Sequence, residues 1–345
     1  MPNARSSPTT PATDEFGLIA RYFAPLAAGE AGAFGLSDDA ALLPCAAGES
    51  LVVTCDTLVA GVHFLPDDPA ESVGVKALAV NLSDLAAMGA SPFGYLLSAG
   101  LPVEWPRQRL HAWLDGFAAG LRRLQQRWGV CLVGGDTVGV PGPLCLTITA
   151  LGRVGPKDAL RRGAARPGDD VYVSGSIGDA ALGLRALRGE LPRLAARHRR
   201  WLIGRYREPR PRVSLGPRLI GLAHAAIDIS DGLIADLGHV CAASGVAASI
   251  VAAEVPLSEA ARAALAGEPG LLATVLSGGD DYELLFTAPP SGAAALASQA
   301  REVGLPITRI GRIRSAGPGD GGGTVRIDDA HGRPLTIANT GFRHF

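Results

Sequence analysis

Lysine is nearly absent from this chain: Lys76 and Lys157 are the two it carries, among 32 basic residues. Neither follows a glycine, so the G-K-[ST] core of a phosphate-binding P-loop is excluded, and few positions remain for a catalytic lysine. The cysteines, Cys45, Cys55, Cys131, Cys145 and Cys241, are odd in number and form no C-x-x-C pair. Most of them sit in apolar runs, which predicts buried, reduced thiols. Their spacing, and the scatter of the seven histidines, argues against zinc. No apolar run approaches the roughly 18 residues of a membrane span. The net charge of −1 gives no global pull toward nucleic acid or anionic lipid. The opening MPNARSSPTTPATDEF has no apolar signal core, so residues 1–13 read as a flexible tail and the expected location is cytoplasmic.

What is present suffices for two ordinary domains: 345 residues, 47% hydrophobic, with 45 glycines for tight turns. Apolar, strand-like runs at 51–56, 131–135, 144–154, 170–176, 225–230 and 282–288 alternate with Ala/Leu-rich helical runs at about 69–88, 107–128, 178–189, 231–244 and 292–304. The helix at 69 has a start signal, with Asp68 as cap, Pro69 at its first position and Glu71 three residues past the cap. This mixture predicts an α/β chain with mixed (α+β) sheets. The polar GPKDALRRGAARPGDD that follows a long strand suggests a boundary near 152, giving an N-terminal domain over 14–152 and a C-terminal domain over 153–345. The Gly-rich SAGPGDGGG at 315–323 reads as a surface hairpin loop, and its G-x-G-x-x-G (Gly317, Gly319, Gly322) lacks the strand-to-helix setting of a dinucleotide site. Gly175-Ser-Ile-Gly178 has that setting, and is either an ordinary tight turn or a main-chain phosphate contact. The Arg-rich 197–212 reads as a helix plus turn with a solvated face.

The informative pattern is carboxylates at the ends of elements. Asp38 and Asp39 lie in GLSDDAALL, Asp56 in VTCDTL, Asp84 in NLSDLAAMGA, Asp136 in LVGGDTV, Asp228 and Asp231 in AIDISDGL, and Asp280 and Asp281 in LSGGDDYEL. Each alone is explained by a cap or a turn. Together, embedded in apolar sequence, they would repel one another unless cations lay between them. Oxygen-only ligands favour magnesium, calcium or manganese, and magnesium usually shares its site with substrate phosphates. The residues themselves therefore point to Mg²⁺-dependent phosphate chemistry.

SDDAALL, CDTLVAGVHF, KALAVNLSDLAAMGASP, GGDTV, AIDISDGLIADLGH and LSGGDDYELLF, in this order, resemble the thiamine-monophosphate kinase family, within the aminoimidazole ribonucleotide synthetase-like superfamily. The resemblance runs from about Glu15 to the C-terminal GFRHF. It implies an N-terminal domain that dimerises through its sheet, a C-terminal α/β domain, and transfer of a phosphoryl group from ATP to thiamine monophosphate. It implies magnesium positions at Asp39, Thr54, Cys55, Asp56, Asp84, Asp136 and Asp228, with Asp231 more peripheral. It places ATP against Gly135, Asp136, Arg162 and Ser230, and the thiamine phosphate against His63 and Asp280. Three positions depart from the family pattern. Asp280 stands where relatives commonly have Glu, one methylene longer. Cys55 replaces a Thr or Ser, so a metal contact there would use its carbonyl. Asn339 occupies a position where some relatives carry an aromatic, a stacking role that Phe342 could take.

The implied acceptor is a phosphate monoester with a second pKa of about 6, largely dianionic at neutral pH, so no general base is needed. Neutralising and positioning two anions is the task, and several aspartate-held Mg²⁺ ions would serve it. Other readings are another ATP-dependent synthetase of the superfamily or a non-catalytic metal- or nucleotide-binding regulator. Against the former, the chain has no cysteine before Cys45, as selenophosphate synthetases require, and ends in His344-Phe345 rather than the reactive Cys of hydrogenase-maturation relatives.

Overall fold

The computed structural model describes residues 15–36, 43, 46–318, 320, 323–337 and 341–342. The tail expected at 1–13, Asp39 and Asn339 lie outside the described residues. Helix α1 (Glu15–Leu18) runs on through further helical turns to Ala27, and a separate irregular turn covers Ala31–Leu36. Then follow β1 (Ser50–Val59), α2 (Ala70–Ala87), β2 (Ser91–Pro102), α3 (Arg107–Trp128), β3 (Cys131–Val140) and β4 (Cys145–Val154), whose strands form one sheet in the order β1-β4-β2-β3. The rest of the chain gives β5 (Asp170–Ser174), α4 (Asp179–Leu187), α5 (Ala196–Arg207), β6 (Ala225–Asp228), α6 (Leu233–Ser244), β7 (Val246–Val251), α7 (Glu259–Gly267), α8 (Leu272–Ser277), β8 (Leu284–Ala288), α9 (Ala293–Val303), β9 (Ile307–Ser315) and β10 (Val325–Asp328). These strands form a six-stranded mixed sheet, β10-β7-β9-β5-β8-β6. The fold is α/β with two sheets, and among the described residues no helix is long and apolar enough to cross a membrane.

The chain groups into two compact units that are interleaved in sequence. One holds the helical turns of 15–36 with Cys55–Ala77 and Phe93–Thr149; the other holds Ala46–Thr54, Leu78–Pro92 and the chain from Ala150 onward. In the first, α2 and α3 cross with their backbones nearly touching. A Cβ on Gly120 would sit 2.1 Å from the Glu71 carbonyl oxygen, so no larger residue fits that crossing. The Asp68 carboxylate accepts the Leu65 N–H at 2.8 Å, closing the turn that leads into α2. In the second unit, one face of the six-stranded sheet packs Val171, Val173, Ile227, Leu285 and Ile310 against Leu233, Leu237 and Val240 of α6. The other face packs Tyr172, Leu284 and Phe286 against Leu296 of α9, Leu215 and Leu219, with Ala86 and Ala87 of α2. Helices α4, α5, α7 and α8 share a third core around Leu182, Leu202, Ala261 and Val275.

The segment at 315–323 is not a hairpin. It joins β9 to β10, but β7 lies between those strands, antiparallel to β9 and parallel to β10, so the connection passes over a neighbour. Within it Asp320 accepts from Arg314 at 2.6 and 3.0 Å and from the Gly317 N–H at 2.7 Å.

Candidate functional site

The C-terminal end of β6 carries half-buried Ser230 and Asp231 into α6 through Gly232. A helix start leaves backbone N–H groups without intrahelical partners. Here Asp236, one turn into α6, supplies the acceptor: its Oδ2 takes the N–H groups of Ser230, Asp231 and Gly232, each at 3.1 Å. Burial pushes the Asp236 carboxyl up to about 7, the charge of Asp231 adds to that, and the three N–H bonds oppose it. Asp231, Asp236 and His239 each offer a ligand atom within 4.8 Å of the others. Sequence reasoning took Asp231 from this loop and missed Asp236 and His239; their spacing in DISDGLIADLGH was the available signal.

Against this turn lies the 280–283 loop. The Asp280 N–H donates to the Ser230 carbonyl at 2.9 Å, and the Tyr282 N–H to that of Ile229 at 2.8 Å. Asp280 and Tyr282 have positive φ, 72° and 50°, a costly conformation for residues with side chains. Two fully buried acids hold them there. Asp281 accepts the Gly178 N–H at 2.6 Å and the Ala180 N–H at 3.3 Å. Glu283 accepts from the Ser174 hydroxyl at 2.6 Å, from Arg205 at 3.0 Å and from Nε and one terminal arm of Arg212. Burial drives the Asp281 carboxyl well above the usual range; the Gly178 N–H pulls it down, and Asp179 pushes it further up. The same bonds decide the Gly175–Gly178 segment: it is a tight turn whose Gly178 N–H is already taken by a carboxylate. Finally, the Phe342 N–H donates to the Asp231 carbonyl at 3.1 Å, with its ring half exposed. Ser230, Asp231, Asp280 and Phe342 thus meet at one place. Asp228, the last residue of β6, is buried at 5% exposure.

A second meeting point joins Thr54 of β1 to Asp84 of α2. The Thr54 hydroxyl donates to Asp84 Oδ2 at 2.5 Å, the short distance expected of a bond to a charged acceptor. Asn81, fully buried one turn earlier, shares the helix face of half-buried Asp84. Cys55, next along β1, is exposed, and its sulfur accepts from the Thr149 hydroxyl at 3.4 Å.

The remaining candidate residues lie further along β1 or on other segments. Asp56 follows Cys55 on β1. Gly135 and Asp136 are exposed on β3, opposite Leu97 and Ser98 of β2. A Cβ on Gly135 would lie 1.9 Å from the Leu97 carbonyl oxygen, so glycine is what the strand pairing admits. Asp136 accepts the Thr137 N–H at 2.8 Å. His63 Nδ1 accepts the Val59 N–H at 3.0 Å, which fixes the tautomer with its proton on Nε2 and makes that nitrogen a donor. Arg162 is exposed, in a short turn whose carbonyl accepts the Ser244 hydroxyl at 3.0 Å.

At Thr54, Asp56, Asp84, Asp136, Asp228 and Asp231 the ligand atoms on offer are carboxylate and hydroxyl oxygens, the set a hard cation such as magnesium takes. His239 adds a nitrogen that magnesium seldom uses.

Two family profiles match in succession: "AIR synthase related protein, N-terminal domain" over residues 37–154 and "AIR synthase related protein, C-terminal domain" over 166–321. The chain is 43% identical over 337 residues to the thiamine-monophosphate kinase of Escherichia coli strain K12, covering 97% of this chain and 99% of that one. It is similar in structure to the thiamine-monophosphate kinase of Stenotrophomonas maltophilia K279a, with a TM-score of 0.77, 45% identity, and coverage of 87% of this chain and 91% of that one. A solved complex described as "AaThiL complexed with AMPPCP and TMP" matches with a TM-score of 0.75 at 29% identity, over 96% of this chain and 97% of that one.

Proposed function

This chain belongs to the thiamine-monophosphate kinase family, and on that premise we propose that it transfers the γ-phosphoryl group of ATP to thiamine monophosphate in one in-line step, giving ADP and thiamine diphosphate. The observation that carries this reading is the meeting of Ser230, Asp231, Asp280 and Phe342 at the end of β6. It brings together residues, far apart in sequence, that the family resemblance assigns to nucleotide, metal and substrate. A relative's complex with an ATP analogue and TMP supports the same pairing of ligands.

The assigned roles follow the chemistry of each group. Asp39, Thr54, Asp56, Asp84, Asp136 and Asp228, with the carbonyl of Cys55, would hold several magnesium ions, and Asp231 a more peripheral one. Magnesium bound there would neutralise phosphate charge that two anionic substrates otherwise bring into repulsion. Gly135 offers close main-chain approach and Arg162 a guanidinium for ATP oxygens, while the Ser230 loop is stiffened by Asp236. His63 presents Nε2–H as a donor to the acceptor phosphate. Asp280, held at positive φ, is pre-positioned toward thiamine, and its short side chain relies on that backbone to reach the substrate. Phe342 offers a half-exposed ring for stacking, with Asn339 beside it in sequence. The acceptor is already a dianion, so no residue acts as general base. We assign the domains as 14–152 and 153–345, with the first dimerising through its sheet and the enzyme working in the cytoplasm.

Stereochemistry tests the single step. Transfer from chirally labelled γ-phosphoryl ATP should invert configuration at phosphorus. Retention, or a labelled phosphoprotein competent for turnover, would establish a covalent intermediate and defeat the proposal.

A further inference from the structure

A cavity of about 730 Å³ opens between α5, the start of α7 and the turns at 175–176 and 304–306. That size lies within the roughly 300–1,000 Å³ of small-molecule sites. Its charged lining is one-sided: Arg197, Arg205, Arg210, Arg212 and His198 face a single lining carboxylate, Glu259. None of the residues assigned above to magnesium, ATP or thiamine phosphate lines it.

Most of these cations have partners whose positions leave the cavity short of negative charge. Arg197 reaches Glu259 at 3.2 Å, an exposed pair that solvent screens. Arg212 and one arm of Arg205 are committed to buried Glu283, and the same arm of Arg205 donates to the Asp281 carbonyl at 3.2 Å. The other arm of Arg205 is the exception. Arg205 is 3% exposed, and its Nη1 is buried without a hydrogen-bond partner. Buried donors are nearly always satisfied, and an unsatisfied charged one calls for a specific explanation. Arg205 lines the cavity, and an anion seated against its guanidinium would provide that partner once the group turns toward it.

The wall beside these cations is aromatic. Trp201 lines the cavity at 42% exposure, unusual for so large an apolar side chain. Its indole N–H donates to Asp179 at 3.0 Å, which fixes the ring's orientation, and the Arg210 guanidinium lies 5.2 Å from the ring centroid. A cationic pocket with a fixed aromatic wall suits an oxyanion attached to a planar body.

We propose that this cavity is a second ligand site, separate from the phosphoryl-transfer residues, that binds a phosphate monoester through Arg197, Arg205 and Arg210 and lays its planar body along Trp201. The site rests on no assumption about the reaction, so its test stands apart from turnover.

Trp201 provides the signal, because of the four tryptophans it is the one that lines the cavity. Phenyl phosphate titrated into the full chain without ATP should quench tryptophan fluorescence saturably, and Trp201→Phe should abolish the change. Arg205→Met risks the fold, so the exposed pair carries the test. An Arg197→Gln/Arg210→Gln variant should keep the wild-type melting temperature and bind phenyl phosphate at least about tenfold more weakly. The proposal is overturned by quenching that never saturates, that sodium chloride of matched ionic strength reproduces, that survives Trp201→Phe, or that persists undiminished in the double variant.

Discussion

Removing the Glu283 side chain should cost this protein heavily. The side chain has no exposed surface, and its carboxylate meets Ser174, Arg205 and Arg212. Glu283→Leu fills similar space but strands Arg205, itself 3% exposed, with no counter-charge. Removing one partner of a buried ion pair costs roughly 3–5 kcal/mol, a large share of the roughly 5–15 kcal/mol that holds a domain folded. At roughly 2–4 °C per kcal/mol for a domain of this size, the melting transition of the C-terminal unit should fall by about 6–20 °C. Differential scanning calorimetry resolves that transition from others in a chain of more than one unit. Arg205→Met added to Glu283→Leu should recover part of the loss, because the deepest uncompensated charge is then gone, while Arg212, at 16% exposure, can turn to solvent. The loop spanning Asp280 and Tyr282 loses one of its two anchors, so surviving Glu283→Gln protein should show a raised KM for thiamine monophosphate more than for ATP. A melting shift under about 2 °C would refute the claim that this network holds the loop.

Three further outcomes follow from single positions. Asp84→Asn should leave the melting temperature unchanged while lowering kcat at limiting Mg²⁺ at least about tenfold; wild-type turnover, or a large stability loss with metal dependence unaltered, would make Asp84 a structural carboxylate only. Gly135→Ala must part β2 from β3, because its Cβ would lie 1.9 Å from the Leu97 oxygen, and should cost about 1–3 kcal/mol by urea denaturation; an unchanged midpoint would show that the strands separate freely. Burial pushes the Cys241 thiol up to about 11 from its ordinary 9.0, so the folded state holds the proton longer than the unfolded one and stability should decline as pH rises between those values. Alkylation near pH ~8 should accordingly modify exposed Cys55 and spare Cys241 until the protein unfolds; equal labelling of both would contradict the assigned burial.

Long or strongly patterned elements were legible in the sequence. The helix expected at 107–128 is Arg107–Trp128, ended by Gly129 at φ 66°, and the strand expected at 144–154 is Cys145–Val154. The strands that escaped notice carry weak signals. SPFGYLLSAGLP of β2 is broken by Gly94, Gly100 and Pro102, and VAASIV of β7 is rich in small residues that suit a helix equally well. In ITRIGRIRS of β9, Arg309, Arg312 and Arg314 dilute the apolar pattern, although Arg309 and Arg312 are both paired with Asp170. At the site, each aspartate was visible because it interrupts an apolar run. Its partners were not. Glu283 pairs with arginines 71 and 78 residues away, and Ser230 meets Asp280 through backbone atoms that carry no sequence signature. Asp236 was hidden for a different reason, since an acid in the first turn of a helix is ordinary and nothing local reveals that one oxygen serves three N–H groups.

The central claim is tested most directly by ³¹P NMR of the purified protein with ATP, Mg²⁺ and an equal mixture of thiamine and thiamine monophosphate. The account predicts that the monophosphate resonance is replaced by the two resonances of thiamine diphosphate, with one ADP formed per diphosphate and free thiamine left untouched. Phosphorylation of free thiamine, or ATP consumed with neither acceptor changed, would contradict it.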